Sequence, residues 1–328
     1  MTTNDMKKPP KKIVVIGGGT GVFTVLSGLK HSKHKLSAIV TMADDGGSTG
    51  ILREEFGILP PGDVRRALVA LSHDEKTLAD LFAYRFEEGR GFEGHSLGNL
   101  LLTALERIHG SFDKAVDEAG TILGIKGQVI PVTFDRVKLL AYLEDGKMIS
   151  GEARIDNLKK NRKRAGIKRV ILKPAARANK KAVKAILEAD LIVLGPGDLY
   201  TSIIPNLLVK GIAGAIRKSH ASKALVINIM TKRGETDKFQ AKDFVYAIEK
   251  YLNSNNILTH LVVNTAYPKK EIFNKYHNTE GADLIIYNPA VWNKSKFKIL
   301  AGPLIRKDGK FIRHDPKKLA QTLLKILK

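Results

Sequence analysis

Three loops in this 328-residue sequence combine glycines with hydroxyl and acidic side chains, each directly after a predicted buried strand. They read GGGTG, ADDGGSTG and GPGDLYTS. In a parallel α/β sheet such loops begin helices, whose free N–H groups and dipoles favour anions. Convergence of the three loops on one crevice would create a binding site for a phosphorylated, nucleotide-type ligand. The candidate ligand-binding residues of these loops are Gly17, Gly18, Gly19, Thr20, Gly21, Asp44, Asp45, Gly46, Gly47, Ser48, Thr49, Gly195, Gly197, Asp198, Tyr200, Thr201 and Ser202.

The first two loops each allow more than one interpretation. GGGTG departs from the dinucleotide-binding fingerprint, because Val22 stands where that fingerprint has its third glycine. A purely structural tight turn is the alternative there. In the second loop, Asp44 and Asp45 are placed to accept hydrogen bonds from ribose hydroxyls or to hold Mg²⁺. An Asp-Gly turn followed by a Ser/Thr helix cap would explain the hydroxyls of that loop but not its two adjacent acids.

The segment PPGDVRRAL is predicted to form a proline-set turn, an Asp63 cap and a helix whose first turn carries Arg65 and Arg66. Either arginine could bind phosphate or carboxylate oxygens. The structural alternative is a salt bridge to Asp63 or Glu54. Because cations oppose the dipole at a helix N-terminus, this placement favours a ligand-binding role, and Arg65 joins the candidates.

Two further pairs of residues complete the candidate site. His95 and Asn99 surround a predicted helix start in GHSLGNLLL, where a histidine that only hydrogen-bonds within the fold is the alternative to a functional one. Tyr276 and Arg313 lie far along the chain and could stack a base and bind a diphosphate. The alternative for them is a packing tyrosine and a surface arginine. The sequence identifies no catalytic residue.

The elements that position these loops alternate between strands and helices. A βαβ unit begins with the strand IVVI, a helix from Val22 and the strand LSAIVTM. From Asp63 the pattern becomes a run of helical segments, so we expect a helical insertion at about 63–127. The predicted fold is an α/β, Rossmann-like, doubly wound, mainly parallel sheet in a single domain, residues 11–328, after a disordered basic tail, residues 1–10. Later predicted strands are VIPVT, KLLAYLEDGKMISGEARI with a hairpin turn at Asp145-Gly146, RVILKP, ADLIVLG, ALVINIM, LTHLVVN and ADLIIYN, with helices at NLLVKGIAGAIRKS and AKDFVYAIEKYLN.

Composition narrows the class of partner. The formal net charge of +22 favours an anionic ligand. The basic segment 159–184 has no interleaved aromatic residues for base stacking, so a solvated lysine-rich surface is favoured over nucleic-acid binding.

The absence of cysteine excludes disulfides, thiolate metal sites and a catalytic thiol. No secretory h-region and no apolar run of about 18 residues is present, so we expect a cytoplasmic protein without membrane insertion.

Six blocks of the sequence resemble, in order, the bacterial gluconeogenesis-factor (YvcK-like) family, a branch of the CofD-like superfamily. They are GGGTG at Gly17, ADDGGSTG at Ala43, PPGDVRRAL at Pro60, FEGHSLGNL at Phe92, GPGDLYTSIIPNLLV at Gly195 and MTKRGETDKF at Met230. Together they cover almost the whole chain. Two positions depart from the family pattern, which has Ser at Asp198 and an amide-type residue at Arg66.

The resemblance implies a CofD-type fold and a role in partitioning carbon between central metabolism and cell-wall precursors, and so in cell shape. It also implies binding of a nucleotide sugar such as UDP-N-acetylglucosamine, with no obligatory cofactor. We further expect a homo-oligomer. The sister branch, the 2-phospho-L-lactate transferases, suggests the alternative of an Mg²⁺-dependent transferase, in which Asp44 and Asp45 hold the metal and Arg65 steadies a leaving phosphate. No second set of polar residues identifies an acceptor pocket in the sequence, which favours binding over turnover.

Overall fold

The structure is a computed structural model that describes residues 9–73, 76–157, 164–292, 296–307 and 311–328. Most of the predicted disordered tail and the first residues of the basic segment, 159–163, lie outside the described residues. The strands are β1 Lys12–Gly17, β2 Lys35–Val40, β3 Gln128–Pro131, β4 Lys138–Leu143, β5 Met148–Ser150, β6 Ile167–Lys173, β7 Leu191–Leu194, β8 Ser222–Val226, β9 His260–Asn264 and β10 Lys298–Gly302.

Seven of these strands form one parallel sheet in the order β10-β9-β8-β7-β1-β2-β3. The central strands β1 and β7 are apolar on both faces and almost fully buried, as expected where helices cover a parallel sheet on both sides. The order of the strands reverses between β1 and β7, so this is the switch point of a doubly wound fold. The predicted α/β class and mainly parallel sheet are confirmed.

The helices connect and cover these strands, and those from Gly62 to Ile122 occupy the predicted insertion at about 63–127. A π-helical turn, Leu199–Ile203, follows β7. In the described part of the chain, no helix has the length and apolar character needed to cross a membrane. The helices are α1 Gly19–Leu29, α2 Gly47–Phe56, α3 Gly62–Leu71, α4 Lys76–Ala83, α5 Leu97–His109, α6 Phe112–Ile122, α7 Glu152–Asp156, α8 Lys180–Leu187, α9 Ile204–Leu208, α10 Ile212–Lys218, α11 Ala241–Leu252, α12 Lys270–Glu280 and α13 Pro316–Leu324.

The segment KLLAYLEDGKMISGEARI was predicted to form two strands joined by a hairpin turn, but its last residues are helical. The hairpin is present as β4 and β5, and Gly146 at φ +83° makes its turn. However, β4 also pairs with β6, and these three strands form a separate antiparallel sheet. The following residues Glu152–Asp156 form α7, because the carboxylate of Asp45 accepts a hydrogen bond from the N–H of Ala153 in its first turn (2.8 Å).

Three other expectations were wrong. ADLIIYN is not a strand, because Ile285 and Asp283 hydrogen-bond to the loop after β8, and the edge of the sheet is filled by β10 instead. NLLVKGIAGAIRKS forms two helices, separated at Gly211 with φ +111°. Residues 47–50, which were predicted to lie in a loop, form the first turn of α2.

Candidate functional site

A cleft opens at the carboxyl ends of β1, β2, β7 and β8 and consists of two adjoining cavities. The first cavity, about 980 Å³, extends from the α1 N-terminus to α12 and the segment before α13. The second cavity, about 430 Å³, extends from the same N-terminus to α2, α3 and α5. The two cavities therefore form one continuous depression at the switch point of the sheet. They share Thr20, Gly21, Gly46, Glu152, Asp156, Gly197 and Asp198.

The glycine loop after β1 presents the N-terminus of α1 to both cavities. Thr20 and Gly21 lie in the first turn of α1, where backbone N–H groups have no intrahelical acceptor. Gly19 N–H donates to the carboxylate of Asp63 (2.8 Å). A Cβ on Gly18 would lie 2.4 Å from that carboxylate, and one on Gly21 would lie 1.8 Å from the carbonyl oxygen of Pro196. The glycines are thus required for packing between loops as well as for access to the helix N-terminus.

Three carboxyl groups of the cleft wall interact with one another. Asp44 accepts a hydrogen bond from Gly46 N–H (2.9 Å) and lines the second cavity. Burial, followed by the charge of Asp44, raises the pKa of Asp63 to about 6. Burial, followed by the charges of Asp44 and Asp63, raises the pKa of Glu152 to about 9. Like charges in a partly desolvated wall favour a bound proton or a bound cation.

Asp63 does not cap its helix as predicted. Pro61 occupies the cap position of α3, and Asp63 lies in the first turn, where its carboxylate reaches back to the α1 N-terminus. The guanidinium of Arg66 lies 3.8 Å from the same carboxylate, which is the salt bridge considered as the structural alternative. Asp63 therefore joins the loop after β1 to α3, and sequence reasoning did not place it in the site.

A buried chain of hydrogen bonds supports the second cavity. Ser48 Oγ lies 3.2 Å from His95 Nδ1 and accepts from the amide of Asn99 (3.3 Å). Arg65 Nε donates to the amide oxygen of Asn99 (3.0 Å), and its Nη1 donates to the carbonyl of Phe82 (3.2 Å). Burial, together with the nearby charges of Arg66 and Arg85, lowers the pKa of Arg65 to about 10. The arginine stays charged at neutral pH and is held in one orientation.

Lys232, which was not among the predicted site residues, lies between three acidic side chains. Its Nζ pairs with Asp156, with Asp198 at 2.7 Å and with the buried Glu235 at 3.0 Å. Burial raises the pKa of Asp198, and the charges of Glu235 and Asp63 raise it further. These three carboxylates are close enough together to hold a metal ion, but the lysine ammonium already lies among them. Lys232 belongs to the block MTKRGETDKF, so the sequence did contain a signal for it.

Tyr276 and Arg313 come together in the wall of the first cavity, although they lie on α12 and in the loop before α13. Tyr276 is half-buried and hydrogen-bonds the backbone of Ile312. The guanidinium of Arg313 is exposed and lies 4.9 Å from the ring centroid of Phe311. Next to it, burial lowers the pKa of His314 to about 4, so that imidazole is neutral. This end of the cleft offers an aromatic face and a cation.

The structure separates the candidate residues into two groups. The first group lines the cavities: Gly18, Gly19, Thr20, Gly21, Asp44, Gly46, Gly47, Ser48, Thr49, Arg65, Asn99, Gly197, Asp198, Thr201, Ser202, Tyr276 and Arg313. The second group lies behind them: Gly17 ends β1, Asp45 anchors α7, His95 supports Ser48, Gly195 turns the chain at φ +71° and Tyr200 is buried. Asp44 and Asp45 therefore contact different parts of the structure.

Comparisons with known proteins agree with this architecture. A family model described as 2-phospho-L-lactate transferase CofD matches residues 13–305. The chain is 44% identical to a relative in Aquifex aeolicus over 96% of both chains. It is 41% identical to the gluconeogenesis factor of Bacillus subtilis, covering 97% of this chain and 98% of that one. It is also similar to a crystal structure of a UPF0052 family member from Bacillus halodurans, with a TM-score of 0.90, 39% identity and coverage of 97% and 100%.

Proposed function

Because the chain belongs to the 2-phospho-L-lactate transferase CofD family and, within it, to the gluconeogenesis factors, we propose that it binds a nucleotide sugar such as UDP-N-acetylglucosamine. The observation that carries the proposal is the convergence of the glycine loops after β1 and β7 at the switch point of the sheet. In open α/β sheets this crevice binds nucleotides, with phosphates at a helix N-terminus. The proposed role is cytoplasmic and regulatory, linking central carbon metabolism to cell-wall synthesis and cell shape.

The lining of the cleft supports one orientation of the ligand. The diphosphate lies at Thr20 and Gly21, because the N-terminus of α1 is open to both cavities there. The base extends into the first cavity, where Tyr276 supplies an aromatic face and Arg313 a guanidinium. The sugar then occupies the second cavity, on the other side of the glycine loop.

The acidic wall fits a divalent cation, which we propose binds with the diphosphate. Mg²⁺ takes oxygen ligands from one or two carboxylates, water and substrate phosphates. Asp44 and Asp63 line the same cavity and interact electrostatically, whereas Asp45 is engaged with α7. The residues proposed to hold the metal are therefore Asp44 and Asp63, in place of the pair Asp44 and Asp45. Bound there, the cation would neutralise phosphate charge next to the wall.

A thermal-shift panel tests the proposal directly. A ligand at about 100 times its Kd adds about 2.7 kcal/mol to the free energy of unfolding, which a melting curve resolves. UDP-N-acetylglucosamine, UDP-glucose, NAD, GDP and GTP would each be measured with and without Mg²⁺. We expect the uridine nucleotide sugars to stabilise the protein more than NAD or GDP. Equal shifts from all five nucleotides, or no shift from any of them, would refute nucleotide-sugar binding.

One observation favours a second candidate function, a CofD-type transferase. The second cavity adjoins the proposed nucleotide site and has its own polar lining, including Arg65, Ser48 and Asn99, so there is room for an acceptor. Incubation with UDP-N-acetylglucosamine or GTP, with and without Mg²⁺, followed by chromatography of the nucleotide, separates the two functions. A binding protein returns the nucleotide unchanged. Metal-dependent consumption that is lost in Asp44→Asn would identify a transferase.

A further inference from the structure

The second cavity has a basic side that nucleotide binding alone does not explain. Arg65, Arg66 and Arg85 all line it, and all three come from α3 or from the connection between α4 and α5. Arg65 is buried, whereas Arg66 and Arg85 are exposed at the cavity. The helical insertion therefore brings three guanidinium groups to the part of the cleft that lies beyond the glycine loop.

Among the residues that the structure describes, the hydrogen-bond acceptors of Arg65 and Arg85 are neutral groups. Arg65 hydrogen-bonds the amide oxygen of Asn99 and the carbonyl of Phe82, which are neutral acceptors. Arg85 donates to the carbonyl of Gly94. Arg66 has a carboxylate nearby, that of Asp63, but at 3.8 Å. Arg65, Arg66 and Arg85 line one cavity, so their positive charges repel one another.

The acidic groups of the cleft are engaged elsewhere. Lys232 pairs with Asp156 and Asp198, and Glu152 holds its proton at neutral pH. Asp44 and Asp63 remain, and in the proposed function they hold the metal. A cation on those two carboxylates would leave the three guanidiniums with only an anionic ligand group to neutralise them.

We infer that the basic side of the second cavity binds a carboxylate or phosphate group carried on the sugar, so that the preferred ligand is an acidic nucleotide sugar. The inference rests on the proposed function, since it needs the sugar to reach the second cavity. Planar guanidinium groups suit bidentate contact with either anion.

A pair of ligands that differ only in charge at the sugar tests the inference. UDP-glucuronate and UDP-glucose share the base, the ribose and the diphosphate, and calorimetry would give both affinities at one pH and Mg²⁺ concentration. We expect UDP-glucuronate to bind about tenfold more tightly, the effect typical of a charge-assisted hydrogen bond in a partly desolvated site. In Arg66→Asn the ratio of the two affinities should fall below about threefold. Arg85→Gln, at an exposed side chain, should lower the ratio in the same direction.

The control is Arg169→Asn, which removes an exposed arginine whose guanidinium lies 4.5 Å from the Tyr142 ring centroid in the antiparallel sheet, and it should leave the ratio unchanged. If UDP-glucose binds and UDP-glucuronate binds no more tightly, the inference is overturned while the proposed function stands. If neither nucleotide sugar binds, the proposed function fails first. UDP mixed with free glucuronate or inorganic phosphate forms a further arm. Affinity equal to that of UDP-glucuronate in this arm would overturn the assignment of the anion to the sugar.

Discussion

Glu152 lies where the two cavities meet, and its raised pKa makes a specific pH prediction. Its pKa is about 9 in the folded protein, well above that of an exposed glutamate. At any pH between the pKa of an exposed glutamate and about 9, the folded state therefore binds more protons than the unfolded state. Stability contributed by protonated Glu152 is therefore present at low pH and lost as the pH rises through about 9. Glu152→Gln removes this loss. The melting temperature of the variant minus that of wild type should therefore increase as the pH rises from 5 to 9.

The matched control for that experiment is Glu118→Gln, at an exposed glutamate on α6. Its melting temperature should follow that of wild type across the same pH range. A constant difference between Glu152→Gln and wild type from pH 5 to pH 9 would mean that the carboxyl does not titrate as the burial of its wall implies.

The second prediction concerns Tyr276 and Arg313, which both line the first cavity although they are distant in the sequence. Alanine at either position should weaken uridine nucleotide-sugar binding about tenfold or more, because stacking of a base on an aromatic ring contributes about 1–3 kcal/mol. The free protein should melt almost as wild type does, since neither side chain is fully buried. Tyr246→Ala, on a tyrosine 70% exposed on α11, is the control. Wild-type affinity in both variants would remove these residues from the site.

Replacing each of three aspartates with asparagine distinguishes the proposed metal ligands from an aspartate with a structural role. Asp44→Asn and Asp63→Asn should each abolish the enhancement that Mg²⁺ gives to nucleotide affinity, since an amide is a poorer Mg²⁺ ligand than a carboxylate. Asp45→Asn should keep that enhancement and instead lower the melting temperature, because Asp45 accepts a hydrogen bond from the first turn of α7. Calorimetry with and without Mg²⁺ measures both effects. Loss of the metal effect in Asp44→Asn and Asp45→Asn, but not in Asp63→Asn, would instead restore the pair expected from the sequence.

The packing of α1 against the loop after β7 decides the prediction at Gly21. A Cβ there would lie 1.8 Å from the carbonyl oxygen of Pro196, so the helix and the loop cannot both keep their positions. Gly21→Ala should lower the free energy of unfolding by about 1–3 kcal/mol, the cost typical of overpacking. Gly214→Ala is the matched control, because this glycine is also helical and a Cβ there would lie 4.0 Å from a side-chain nitrogen of Arg217.

That control should raise stability by about 0.5–1 kcal/mol, since alanine loses less backbone entropy than glycine in a helix. Urea denaturation measures both variants. If Gly21→Ala were as stable as Gly214→Ala, the close approach of α1 and the proline loop would be absent in solution. Weakened ligand binding in Gly21→Ala would then have to come from the phosphate contact itself.

The net charge of +22 belongs to the whole molecule, and it predicts a contrast between two kinds of anion. Duplex DNA should bind weakly and lose its affinity steeply as salt rises from 50 to about 200 mM, because only counterion release drives that contact. Nucleotide-sugar binding should persist over the same range, since it also depends on stacking and on fixed N–H groups. Fluorescence anisotropy against labelled duplex, beside calorimetry with the nucleotide sugar, checks both. Salt-resistant duplex binding would contradict the prediction that nucleic acid is not a partner.

Local sequence patterns were sufficient for the central strands of the parallel sheet, the run of helices after Asp63 and the glycine loops. Apolar runs such as those of β1 and β7, followed at once by glycines, admit few other structures, since both the periodicity and the turn chemistry are local. The same local reasoning failed at ADLIIYN, whose composition fits a strand but whose backbone hydrogen bonds go to the loop after β8. Composition alone cannot show which segment will fill the edge of a sheet.

The membership of the site depended on contacts between residues distant in the chain. Adjacent Asp44 and Asp45 look equivalent in the sequence, yet one lines the cleft and the other anchors α7, because successive side chains leave the backbone in different directions. Asp63, Glu152 and Lys232 joined the site only through the crossings of the sheet and the insertion. The pKa values of Asp63 and Glu152 are raised because these side chains are buried near other carboxylates, and Lys232 forms its ion pairs with acids from other parts of the chain. Burial is a property of the folded chain that no local pattern encodes.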